Sequence, residues 1–305
     1  MFLKLLLMKV LQKEPLRVFK NITIFVKAST LTLSVFACLA MAQKPTFKLS
    51  GEIEQGALIL GKTSVNNRVF FDNKILPLTP NGDFVFGFSR DDISTHQLEI
   101  KNSLGETSIR NLKPQKRQYK IQRINGIPKK IMQPDPKAIA HIKNDNQKIA
   151  EARSTKSTIY GFAQGFIAPN PGKITGVYGS QRVFNGVKKR PHFGLDFAAN
   201  TGDAVVAPAD GVVTLFEPSM FYSGGTLLLD HGHGISSSFL HLSKSYVKKG
   251  DKVKQGQKIA EVGSSGRATG PHLDWRINWF KVRLDPALAL NVKPLTMKNK
   301  VKILK

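Results

Sequence analysis

The sequence predicts a mainly β protein: a small N-terminal β-sandwich, a linker helix and a C-terminal antiparallel β domain. Three observations carry this reading. Short apolar runs recur between Phe47 and Ile100, separated by turn signals such as Asn73 and Asn81-Gly82. Pro128, Pro134 and Pro136 then break the pattern, and Ile139, Ile142 and Ile149 follow at helical spacing among polar residues. Beyond residue 166, short strand-like runs return, after a stretch punctuated by Gly and Pro.

The first element is an address rather than a fold. Lys4, Lys9, Lys13, Arg17, Lys20 and Lys27 precede the apolar run Ala28–Leu39, which ends in Ala40-Met41-Ala42. A basic stretch, a short apolar stretch and a small-x-small site read as a signal peptide over residues 1–42. An uncleaved membrane anchor is the alternative. Cleavage would remove the single Cys, Cys38, so a thiolate nucleophile or ligand is excluded from the mature chain. No stable transmembrane span is expected after cleavage.

The sandwich is assigned to 43–127. Its strands are Phe47–Leu49, Ala57–Leu60, Val69–Phe71, Phe84–Phe86 and Leu98–Ile100. It holds one His, His96, and no cluster of reactive side chains, so no catalysis is expected there. The linker is assigned to 128–165, with a helix over Lys137–Ala152 packing one thin apolar stripe. The second β domain is assigned to 166–290, with strands at Val205–Val213, Thr226–Asp230, Ser236–His241, Lys258–Val262 and Leu273–Trp279. A basic tail, 291–305, closes the chain.

Lys and Arg number 46 against 21 Asp and Glu, a net charge of +25. The signal segment accounts for five units of it, leaving +20. Such a chain suits an acidic polymer. The positive charges are scattered and export is expected, so nucleic acid is not the expected partner.

Five of the seven His fall between residues 192 and 272. In His192-Phe-Gly-Leu-Asp196-Phe197, an extended backbone puts Phe193, Leu195 and Phe197 on one face. His192 and Asp196 lie on the other, with side-chain-free Gly194 between them. His272-Leu-Asp274-Trp-Arg276-Ile277 repeats the pattern. Two such strands side by side would gather imidazoles and carboxylates around one point, and both are competent Zn²⁺ ligands. For the first strand alone, a surface His–Asp hydrogen bond is the competing reading. His241, flanked by leucines, reads by itself as a core residue and becomes a third wall only beside the other two. His231-Gly-His-Gly234 is expected to be a hairpin turn rather than a metal pair.

In this order, His192-x-x-x-Asp196, His241-Leu-Ser243 and Gly270-Pro-His272-x-Asp274 resemble the motifs of the M23 zinc metallopeptidases, the lysostaphin/LytM type. Gly176-Val-Tyr-Gly-Ser-Gln181 and Ala207-Pro-Ala-Asp-Gly211 match as well. The resemblance covers about residues 166–290. It implies the duplicated hybrid M23 fold, one Zn²⁺ per chain, and hydrolysis of peptide cross-links in peptidoglycan in the periplasm or cell envelope. It implies His192 and Asp196 as zinc ligands and His241 and His272 as catalytic histidines; general zinc chemistry then makes His272, two residues from a ligand, the expected base and His241 the donor to the oxyanion. Gln181, Arg182 and Tyr222 are placed as substrate-binding residues. The chain departs from the family at Asp274, where the family has a His ligand. Asp274 remains a competent ligand, although two anionic ligands weaken the Lewis acid, and Asp274→His is expected to raise zinc affinity. The rival readings are an inactive relative that binds and activates a cell-wall amidase, and a cytoplasmic carrier module, against which the export signal argues.

Overall fold

The computed structural model describes residues 43–126, 136–155 and 157–297. The expected signal peptide and the end of the basic tail lie outside the described residues.

Two small sheets face each other at the N-terminal end. One joins Phe47–Ser50, Leu58–Thr63 and Asp83–Gly87; the other joins Lys74–Leu76, Arg68–Phe71, His96–Lys101 and Thr107–Leu112. Their inward faces meet in an aromatic core, with Phe71 stacked on Phe86 at 4.6 Å and Phe86 edge-on to Phe88 at 5.8 Å. All five strands read from the sequence are present. Lys74–Leu76 and Thr107–Leu112 are additional. The latter has five of its six residues at least partly exposed, so it lacks the apolar alternation that marks a half-buried strand.

The strand Leu58–Thr63 is buried on both faces. Ala57 and Ile59 enter the aromatic core, whereas Leu58 and Leu60 enter the core beneath the C-terminal sheet. Period-two alternation therefore feeds two cores from one strand. Ile121–Ile124 belongs to neither sandwich sheet: it pairs in parallel with Gln181–Phe184.

The C-terminal sheet is antiparallel. Its main path runs Lys252–Val253, Gly211–Met220, Gly224–Gly232, Ile235–Ser245, His272–Trp279, Leu195–Ala198 and Ile174–Gly176. Trp275, Phe239, Leu195 and Leu273 are buried beneath it. The expected strand Val205–Val213 is instead two, Ala204–Val206 and Gly211–Met220. Pro208, which has no N–H to donate to a ladder, lies in the gap. The expected hairpin at His231-Gly-His-Gly234 is present. His233 and Gly234 turn with positive φ, and His231 is fully buried between the Asp210 carbonyl and Ser237 Oγ, both at 2.8 Å.

A helix spans Pro136–Ser154. Ile149 and Ala152 pack on Leu215, Met220 and Leu228 of the sheet. Asp145 accepts a hydrogen bond from the Phe221 N–H at 2.8 Å, and Lys148 pairs with Glu217 at 2.9 Å. Ile139, expected in the apolar stripe, is exposed; the buried stripe is carried by small Ala138 and Ala152 alongside Ile149.

Candidate metal centre and its flanking histidines

Leu195–Ala198 and His272–Trp279 are neighbours in the sheet, with Asp196 directly opposite Asp274 and Leu195 opposite Trp275. The apolar partners go to the core and the two carboxylates share the other face. His192 reaches the same point from the segment preceding the strand. Its Nε2 lies 3.1 Å from Asp196 Oδ1 and 3.5 Å from Asp274 Oδ2. One ligand atom from each of these three residues lies within 4.8 Å of the others.

Two glycines make the convergence possible. A Cβ on Gly194 would come within 1.9 Å of Asp274 Oδ1, and one on Gly176 within 2.0 Å of Asp196 Oδ2. The side-chain-free position between His192 and Asp196 is thus where the opposite strand's carboxylate lies.

Burial opposes charge on the His192 ring, but Asp196 and Asp274 outweigh it and push its pKa up to about 10. Asp274 is buried, which favours its neutral form. Arg276 and His192 nevertheless hold its carboxyl well below the usual range. Burial also opposes charge on Arg276, and its pairing with Asp274 keeps it firmly protonated.

His241 and His272 stand together beside this centre, ring centroids 4.7 Å apart. The Nδ1 of His241 is 2.8 Å from the Ser265 carbonyl, and that of His272 is 2.8 Å from the Gly270 carbonyl. A carbonyl can only accept, so each Nδ1 carries the proton. In the neutral ring Nε2 is then a bare lone pair. His241 has φ of +65°, at a register shift between its strand and its neighbours. A non-glycine residue held in this region is strained, and the bulge re-aims its side chain. Burial pushes the His241 pKa below that of a free imidazole.

Of the residues placed on substrate, Tyr222 is exposed beside the bulge and lines a cavity of about 690 Å³ that also contains His241. Gln181 and Arg182 sit on the strand Gln181–Phe184, outside that cavity's lining. Gln181 Nε2 donates to the Lys189 carbonyl at 2.6 Å, and Arg182 is exposed. Sequence reasoning missed Arg153, Arg190 and Arg283, which line the same cavity. They come from three separate segments, and no spacing rule joins them.

Comparison with known proteins agrees with the geometry. Residues 190–286 match the model of peptidase family M23. A Haemophilus influenzae protein named as a metalloprotease is 44% identical over 92 residues, 29% of this chain and 19% of that protein. The Vibrio cholerae peptidoglycan DD-endopeptidase ShyA is 43% identical over 98 residues, 32% of this chain and 23% of that protein. The chain therefore spans about a fifth to a quarter of the length of these curated relatives. A Pseudomonas aeruginosa crystal structure assigned to peptidase M23 superposes with a TM-score of 0.61 at 25% identity. It covers 79% of this chain and 96% of that one. Strand pairing that sets Asp196 against Asp274, with His192 and two oriented histidines at their side, thus falls within residues 190–286, the segment that matches the model of peptidase family M23.

Proposed function

We propose that the chain is an exported zinc metallo-endopeptidase that hydrolyses peptide cross-links of cell-wall peptidoglycan. The observation that carries the reading is the convergence of His192, Asp196 and Asp274 beside the His241–His272 pair. The relatives' names support the substrate class. The +20 that remains once the signal segment is set aside suits a polymer bearing free carboxylates. In this reading residues 1–42 are the signal, 43–127 the sandwich, 128–165 the linker, 166–290 the catalytic domain and 291–305 the tail.

The residues fit one zinc ion. One imidazole and two carboxylates are a donor set zinc accepts. Asp196 Oδ1 is buried without a hydrogen-bond partner, although His192 Nε2 is near it. The two glycines leave the space beside each carboxylate clear. His192, Asp196 and Asp274 would hold the metal, which supplies Lewis-acid chemistry at the scissile carbonyl and makes water more acidic.

The histidines handle the protons. Both rings present Nε2, and burial keeps His241 neutral, which suits it to take the proton from the attacking water. That moves the base from His272, where the sequence reading put it, to His241. His272, its Nδ1 fixed on the Gly270 carbonyl, is the second ring beside the scissile bond, and a proton on its Nε2 would be donated to the developing oxyanion. The proton held on His241 Nε2 then passes to the leaving amine, and the Ser265 carbonyl holds the ring in place throughout.

Metal content by mass spectrometry, together with the masses of fragments released from purified peptidoglycan, tests this. About one zinc per chain and peptide-cut fragments are expected. A folded protein that holds no metal and cuts nothing with zinc added would overturn the reading. It would favour the inactive amidase-binding alternative.

A further inference from the structure

The cavity beside His241 is strongly cationic. Arg153, Arg190, Arg267, Arg276, Lys281 and Arg283 line it, against one acid, Asp145. Two of these cations are already engaged. Arg276 is paired with Asp274, and Arg267 stacks on Phe221 and Tyr222 at 4.8 and 4.9 Å. Among the described residues, no carboxylate lies within ion-pair distance of Arg153, Arg190 or Arg283.

These three guanidiniums are held by neighbours other than an ion-pair partner, although Asp274 acts on Arg283 from beyond ion-pair distance. Arg153, in the last turn of the linker helix, donates from Nη2 to Ser238 Oγ at 3.0 Å, and its buried Nε has no partner. Arg190 and Arg283 flank the Phe193 ring, each 5.7 Å from its centroid. Burial lowers the pKa of all three, and neighbouring guanidiniums lower it further, to about 10 for Arg153 and about 9 for Arg283. Confining like charges in a partly desolvated cavity is costly unless an anion joins them. The planar guanidinium fork matches a carboxylate.

We propose that Arg153, Arg190 and Arg283 form a carboxylate-binding subsite that grips a free carboxylate of the peptide substrate next to the bond being cut. The linker helix, through Arg153, is then one wall of the substrate site rather than a spacer. This rests on the proposed peptidoglycan reading for the identity of the ligand.

The test is a binding measurement on the full chain after chelator treatment, so that it does not depend on cleavage. The probe is a disaccharide-tetrapeptide from purified peptidoglycan, compared with the same compound after its carboxylates are amidated. Roughly tenfold weaker binding of the amidated form is expected, which corresponds to about 1.4 kcal/mol. That difference should disappear in Arg153→Gln and Arg283→Gln, and largely survive in Arg153→Lys. Thermal melting checks that each variant is folded. Equal binding of the two forms by the native chain would overturn the inference, as would a preference untouched in folded variants. Inorganic phosphate binding as tightly as the tetrapeptide would also overturn it, since the cavity would then be a general anion site. A retained carboxylate preference without peptidoglycan cleavage would sink the endopeptidase reading and leave this one standing.

Discussion

Arg276 grips Asp274 through both carboxylate oxygens, with Nε at 3.0 and 3.1 Å and Nη2 at 2.5 Å. Both residues lie on the same face of one strand, two positions apart. Asp196 and Asp274 bring two negative charges to the centre, and Arg276 returns one positive charge. The weakening of the Lewis acid expected from two anionic ligands is therefore partly offset.

This pairing reverses an expectation drawn from the sequence alone. Asp274→His would leave the Arg276 cation partnerless beside a doubly charged ion, and orphaning one member of a buried pair costs about 3–5 kcal/mol. Zinc affinity, read by chelator competition, is expected to fall at least about tenfold, on the same reasoning. The double variant Asp274→His with Arg276→Gln should recover much of it. Tighter binding in the single variant would show that the ion pair does not govern the site.

Removing a donor should remove the metal. His192→Ala and Asp196→Ala are expected to hold no zinc by mass spectrometry and to lose cleavage while keeping their melting behaviour in chelator. Gly194→Ala removes no donor, but its Cβ would collide with Asp274 Oδ1. It should lose zinc too. Full zinc occupancy in that variant would mean Asp274 can be displaced without cost.

The flanking histidines should separate chemistry from binding. His241→Ala and His272→Ala are each expected to keep zinc and to lose roughly 10²–10⁴-fold in kcat/KM, the usual worth of a proton-transfer group. A base works deprotonated, and burial lowers the His241 pKa below 6.5. The acid limb of the native pH profile should therefore lie below pH 6.5 and vanish in His241→Ala. An acid limb that survives in His241→Ala but disappears in His272→Ala would exchange their roles.

His96 offers a prediction about stability rather than catalysis. It stacks on Phe71 and faces Asp72 and Asp92, with Nδ1 2.6 Å from Asp72 Oδ2. Burial opposes its charge, but the two carboxylates prevail and raise its pKa. A group raised on folding stabilises fully below its unfolded value of about 6.5 and loses that contribution as pH climbs through the folded pKa. The difference in Tm between native protein and His96→Gln should be largest near pH 6 and shrink by pH 9. A difference constant over that range would assign the effect to packing on Phe71.

What the sequence disclosed follows from period and proximity. The alternation in 192–197 and 272–277 made the shared polar face readable, because a strand sends alternate side chains to one side. Helical spacing placed the linker helix within two residues of its ends. The Ser265 and Gly270 carbonyls that fix both tautomers carry no side-chain signature, so sequence reasoning had no access to them. The arginine cluster needs a helix, a loop and a strand to close on one cavity, and that is a tertiary fact. The parallel pairing of Ile121–Ile124 with Gln181–Phe184 joins segments about sixty residues apart, and local patterning does not reach that far.

The strand Leu58–Thr63, buried on both faces, has a consequence for how the molecule comes apart. Excising residues 166–290 would strip Leu58 and Leu60 from beneath the C-terminal sheet and leave raw apolar surface where they had packed. The two halves share this strand, and the Phe71–Trp279 edge contact and the Arg117–Asp285 ion pair cross between them as well. The chain should melt in a single calorimetric transition, and a protease that nicks the linker should leave both fragments bound to each other rather than free a smaller, active piece.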